Sequence, residues 1–173
     1  PAQGAVARGW IKTRRDSKVL SFAELNDGCC RENLQVVFSS ENGDFSAILP
    51  QLVTGASVEI KGDLVASPGA GQKLEMQARE VRLFGGCDPE KYPIQKKKTS
   101  DEFLRTVAHL RPRTNKYAAM MRIRAELAYA VHSYFRNNGF TYVHTPIFTA
   151  SDAEGAGQMF AATSFDLTKL AGI

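Results

Sequence analysis

Between residues 5 and 84 apolar side chains fall at alternate positions or in short clusters. Five segments carry the pattern: AVARGWIK (5–12), VLSFAELN (19–26), LQVVFS (34–39), SVEIKGDLVAS (57–67) and KLEMQAREVRLF (73–84). A period of two sends successive side chains to opposite faces of a strand, and these segments are rich in Val, Ile, Leu and Phe, so five strands are expected. Turn chemistry separates them at NDGCC, ENGD and SPGAGQ, and DFSAILPQL (44–52) is compatible with a short helix after the third strand. After Phe84 the pattern changes. GGCDPEKYPIQKKKTSDE (85–102) mixes Gly and Pro with a lysine run and reads as a hinge. Ser100 before DEFLR starts a helix with acids in its first turn, and HLRPRTN (109–115) stops it through Pro112. Beyond Asn115, Tyr117, Met120, Met121, Leu127, Ala128, Val131, Tyr134 and Phe135 recur at helical spacing. They predict a long helix whose stripe is core or interface, ended by Asn138 and Gly139 as a C-terminal cap. The β-branched and aromatic run that follows, to residue 148, predicts a strand entering Pro146.

Five strands with one small helix after the third is the order of an OB-fold barrel, in which the face of strands two and three binds oligonucleotides; another small barrel or sandwich is the alternative. The fold expected is mostly β plus α, in three parts: a barrel over 1–86, a hinge over 87–114 and the beginning of an α+β domain over 115–173. The barrel should be separable, with proteolysis cutting first between residues 85 and 100.

Charge sharpens this division. Residues 1–92 hold 11 Lys and Arg against 12 Asp and Glu, whereas residues 93–173 hold 11 against 6. The second part suits a polyanionic partner, and the first could bind one only through a local cluster such as KTRRDSK. No run approaches the 18 apolar residues of a membrane span and the start resembles no signal peptide, so a soluble cytoplasmic protein is expected. Cys29, Cys30 and Cys87 lack Cys-x-x-Cys spacing, and with His109, His132 and His144 they make no recognisable zinc pattern.

Two stretches carry candidate chemistry. If Phe22 and Gln35 both point outward on adjacent strands, they offer a π-face for a base and an amide that donates and accepts at its edge. Arg14, Arg15 and Lys18 would hold phosphates beside them, and Glu75 on the fifth strand could accept from the N1 and N2 donors of a guanine. The alternative keeps Phe22 in the core and the arginines in a solvated loop. The second stretch is ASDAEGAGQMF (150–160), an acidic, glycine-rich loop. Alone it is equally an ordinary turn.

In these residues a family resemblance appears. The long helix and residues 139–148 resemble motif 1 of the class II aminoacyl-tRNA synthetases, with Pro146 at the motif's proline. HLRPRTN and ASDAEGAGQMF are similar to the asparaginyl members. GWIKTRRDSKVLSF (9–22) is similar to the anticodon-binding OB domain shared with the aspartyl and lysyl enzymes. The resemblance implies that Phe22 stacks on the central U of the anticodon, Gln35 hydrogen-bonds it, Glu75 reads the first-position G, and Arg15 holds nearby backbone. It implies that Pro146 lies at a homodimer interface, and that Ser151, Asp152 and Glu154 belong to a loop closing over the amino acid, Glu154 facing its ammonium. The parent enzyme would activate asparagine with ATP and Mg²⁺ and attach it to tRNA(Asn). Motifs 2 and 3 do not occur in these 173 residues and no glycine-rich phosphate loop is present, so no catalytic residue and no bound cofactor is expected in them, and the chain alone should be inactive. The competing readings are the same region of an aspartyl enzyme, or a free-standing OB-fold nucleic-acid-binding protein with a helical dimerisation tail.

Overall fold

Alternation closes a barrel in the computed structural model, which describes residues 1–69, 71–95, 99–148 and 162–164. The strands are β1 (Ala2–Asp16), β2 (Leu20–Asn26), β3 (Leu34–Ser39), β4 (Ser57–Ala66) and β5 (Leu74–Gly85), in the closed order β1-β2-β3-β5-β4. Every pairing is antiparallel except β3 with β5. This is the five-stranded OB-fold barrel. One set of alternate residues fills it: Ile11, Ala23, Leu25, Val36, Phe38, Val58, Ile60, Met76 and Ala78, closed off by Phe45, Leu52 and Ala56 from the β3–β4 connection. Phe38 and Phe45 meet edge to face at 5.3 Å. The helix-compatible segment yields only a 3-10 turn, Leu49–Gln51, with Pro50 in its first positions. Lacking an N–H, proline starts such a turn and does not lengthen it backwards.

Two features go beyond the pattern. β1 runs four residues past the predicted Lys12 to Asp16, because β2 pairs with it along Thr13, Arg14, Arg15 and Asp16. At Gly62 the strands approach so closely that a Cβ would lie 2.1 Å from the Gln77 carbonyl oxygen, beside the register shift of β4 against β5.

The chain divides into two units, Pro1–Leu127 and Ala128–Ile173. In the first, the expected hinge is held to the barrel. Cys87 packs against its core. The short helix α1 (Asp101–Thr106) is capped by Ser100 Oγ, which accepts from Phe103 N at 3.2 Å. It ends six residues before Pro112, which sits in the 3-10 turn Arg111–Arg113. There the Arg113 guanidinium stacks 4.1 Å over the Trp10 ring and the Lys12 ammonium donates to the Arg113 carbonyl. Burial, then the Arg113 charge, holds the Lys12 ammonium below its ordinary pKa. The helix α2 (Asn115–Asn137) starts here, and Arg122 donates to the carbonyls of Gly28 and Cys29 in the β2–β3 turn.

In the second unit α2 ends as its residues predict. Gly139, at φ 85°, donates to the Arg136 carbonyl and Phe140 to the Phe135 carbonyl, both at 3.1 Å, while the Phe135 and Phe140 rings pack edge to face. These are the paired bonds and the apolar contact of a Schellman cap. The apolar stripe is not core here: Tyr117 is buried in the first unit, but Leu127, Val131, Tyr134 and Phe135 are exposed. The strand expected up to residue 148 does not form. Residues 140–148 join no ladder, and Pro146 is exposed. A strand needs a neighbour for its N–H and C=O groups, and Tyr142 instead packs edge-on to His132 and His144.

Candidate nucleic-acid interface

The residues of β2, β3 and β5 that alternate with the core form the outer face of the barrel, and register decides which of them meet. Arg15 pairs with Phe22, Phe22 with Val37, Val37 with Gln77, and in the next row Glu24 pairs with Gln35 and Gln35 with Glu75. Phe22 is therefore not a core residue. It lies half-buried on the outside, with the Arg15 guanidinium 4.8 Å from its ring centroid. Arg15 Nη2 also donates to Gln35 Oε1 at 3.3 Å, and Gln35 Nε2 donates to Glu75 Oε2 at 3.0 Å. Four of the expected residues thus form one connected line: a cation, a π-face, an amide and a carboxylate. Such a set can stack a base, bond its edge and hold a phosphate.

Glu75 is only 5% exposed. Its charge is met by hydrogen bonds, because Ser67 Oγ donates to Oε2 at 2.9 Å and Gln77 Nε2 to Oε1 at 3.0 Å. These two residues were missed by the sequence reading. Period two from Glu75 points to Gln77, whereas Ser67, the end of the segment 57–67 read as a strand, lies just past the last residue of β4.

Arg14 does not join the group. It pairs with the core-facing Ala23, so it leaves the strand on the opposite side from Arg15, and its Nη2 lies 3.1 Å from Asp16 Oδ2. Lys18 is exposed in the β1–β2 turn, where Ser17 N donates to the Leu20 carbonyl. Pro146 lies in the second unit. Ser151, Asp152 and Glu154 lie outside the described residues. Among the described residues no three His, Cys, Asp or Glu side chains converge as a metal site, and no helix is long and apolar enough to cross a membrane.

Comparison with known proteins gives two family models along the chain. Residues 5–84 match the OB-fold nucleic acid binding domain, and residues 100–169 match the class II tRNA synthetases (D, K and N). The chain is similar to the asparagine-tRNA ligase of Oleidesulfovibrio alaskensis, with 58% identity over 156 residues, covering 90% of this chain and 34% of that protein. It is 50% identical over 170 residues to the asparagine-tRNA ligase of Nostoc sp., covering 98% of this chain and 37% of the relative. The chain thus spans about a third of the length of the curated relatives it matches. Among solved structures, the asparaginyl-tRNA synthetase of Pyrococcus horikoshii complexed with asparaginyl-adenylate shares the fold, at a TM-score of 0.81 and 23% identity over 95% of this chain and 38% of that one. That of Entamoeba histolytica gives 0.71 and 25% identity over 84% of this chain and 35% of its own.

Proposed function

Because the chain belongs to the asparaginyl-tRNA synthetases of class II, we propose that its barrel face binds the anticodon of tRNA(Asn) within an enzyme that activates asparagine and attaches it to that tRNA in the cytoplasm. The observation that carries this is the line Phe22–Arg15–Gln35–Glu75 on one outer face. Phe22 stacks the central U, Gln35 bonds its edge, Glu75 accepts from the first-position G, and Arg15 supports the backbone. Lys18 adds long-range attraction from the turn, while Arg14, turned the other way and paired with Asp16, contributes little. The division into an anticodon domain (1–86), a hinge (87–114) and the start of the catalytic domain (115–173) is part of the proposal.

The exposed apolar stripe of α2 supports a homodimer in which a second copy covers Leu127, Val131 and Tyr134, and Pro146 is assigned to the same interface. Ser151, Asp152 and Glu154 are assigned to the loop over the asparagine ammonium. Among the described residues no three His, Cys, Asp or Glu side chains converge, and in this reading Mg²⁺ and ATP go with motifs 2 and 3 of the enzyme. Both are assigned to the remainder of the synthetase. The relatives do not favour an aspartyl enzyme or a free-standing binding module.

The test is binding of an anticodon stem-loop at low salt. Phe22→Ala should weaken it by roughly 1–3 kcal/mol, the worth of one base–aromatic stack. Affinity should fall steeply with added salt. Equal affinity for wild type and variant would sink the reading.

A further inference from the structure

We propose that Gln77 and Ser67 are positioning residues: by aiming the Glu75 carboxylate they set the preference for guanine at the first anticodon position. The inference rests on the anticodon reading above. An ionised carboxylate offers about four lone-pair directions, and three donors occupy Glu75: Gln35 Nε2 at 3.0 Å and Ser67 Oγ at 2.9 Å on Oε2, and Gln77 Nε2 at 3.0 Å on Oε1. The place left open is on Oε1, beside Gln77.

Both donors are themselves fixed. The Gln77 Oε1 accepts from Asn42 Nδ2 at 3.4 Å, which turns the amide nitrogen of Gln77 toward Glu75. The Ser67 oxygen accepts from Gln72 Nε2 at 3.3 Å and from the Gly69 N–H at 3.2 Å, which leaves its single proton for Glu75. Among the described residues no Lys or Arg forms an ion pair with this carboxylate. Its direction is therefore set by neutral groups from β3, the β4–β5 turn and β5 itself, with Asn42 of the β3–β4 connection behind Gln77. A guanine presents N1–H and a 2-amino group. Hypoxanthine, the base of inosine, keeps N1–H and lacks the amine. One open place takes one proton: held toward the 2-amino group it binds guanine and leaves hypoxanthine without a partner, whereas a carboxylate free to rotate turns to N1–H, which both bases carry.

The experiment uses the full 173-residue chain and two synthetic anticodon stem-loops, GUU and IUU, with dissociation constants measured by fluorescence anisotropy. Wild type is expected to prefer GUU by about tenfold or more, the worth of one charge-assisted hydrogen bond. Glu75→Gln should lose that preference. Gln77→Leu and Ser67→Ala should each bring the ratio to within about twofold of one, whereas Ser67→Thr, which keeps the hydroxyl, should retain it. A purely structural role would lower the melting temperature and leave the ratio alone. Should Gln77→Leu fail to fold, Ser67→Ala, which lies in a turn, gives the reading. An unchanged GUU:IUU ratio in folded Ser67→Ala and Gln77→Leu, with binding still dependent on Phe22, overturns this proposal and leaves the anticodon reading standing. Absence of binding by wild type, or binding indifferent to Phe22→Ala, overturns both.

Discussion

Beside the exposed thiol of Cys29, Asp27 Oδ1 accepts from the Cys29 N–H at 2.8 Å. Asp27, hydrogen-bonded to it, is the first cause of a thiol pKa pushed up to about 11, with Cys30 the second. The thiolate is the reactive form, and at pH 9, below that value, Cys29 is mostly protonated. Asp27→Asn should therefore quicken alkylation of Cys29 by iodoacetamide several-fold at pH 9, followed by peptide mass spectrometry; an unchanged rate would show that Asp27 does not control the thiol. Residues differ in how far sequence alone could place them. Phe22, Gln35 and Glu75 sit on strands whose alternation is regular, so their sharing a face was legible. Arg14 and Arg15 looked interchangeable as two cations in one cluster, yet neighbours on a strand leave it on opposite sides, and only the extension of β1 to Asp16 puts them on a strand. Ser67 closes a segment read as strand, yet β4 stops at Ala66, and past a strand's end the period no longer gives direction.

At the scale of elements, the barrel depends on a few places where backbones nearly touch. An alanine Cβ at residue 62 would collide with the backbone of Gln77, which no rotamer change relieves. Gly62→Ala should cost about 1–3 kcal/mol, as overpacking does, seen as a lower urea midpoint; a midpoint equal to wild type would mean that β4 and β5 slide apart freely. The same substitution would displace β5 next to Glu75, so stem-loop affinity should fall with it. The strands of the barrel were readable because each is paired and one face is buried, the setting that β-propensity reflects. Residues 140–148 have the same composition and stay out of any ladder. Composition reports what a segment would do beside a neighbour, and among the described residues these pair with none. The cap of α2 was legible for the opposite reason: a Schellman ending is local, and Asn138, Gly139 and Phe140 complete it with carbonyls of the helix's own last turn.

For the whole molecule, the excess of positive charge falls in residues 93–173, beyond the segment that forms the barrel. Asparagine-dependent ATP–pyrophosphate exchange by the 173 residues is expected to stay at the level of a heat-treated control. Aligning a carboxylate with the α-phosphate requires fixed cations held around it, and motifs 2 and 3, to which the family resemblance assigns them, do not occur in these 173 residues. Exchange above that control, surviving removal of contaminating synthetase, would overturn the expectation. One property of the barrel reaches beyond equilibrium. The hydrogen bond from Gln35 to Glu75 joins residues 40 apart in sequence, and it lies on the parallel seam between β3 and β5. Domains built on such distant pairings fold in milliseconds to seconds, since chain entropy is lost before the contacts repay it. The face is then assembled late and all at once. In stopped-flow refolding, competence to quench a labelled stem-loop should arrive with the slowest phase and never before it. During synthesis, a ribosome-bound chain that has exposed β1, β2 and β3 but still holds β5 in the exit tunnel would present tRNA with half a surface, and half of this surface has no carboxylate to read with.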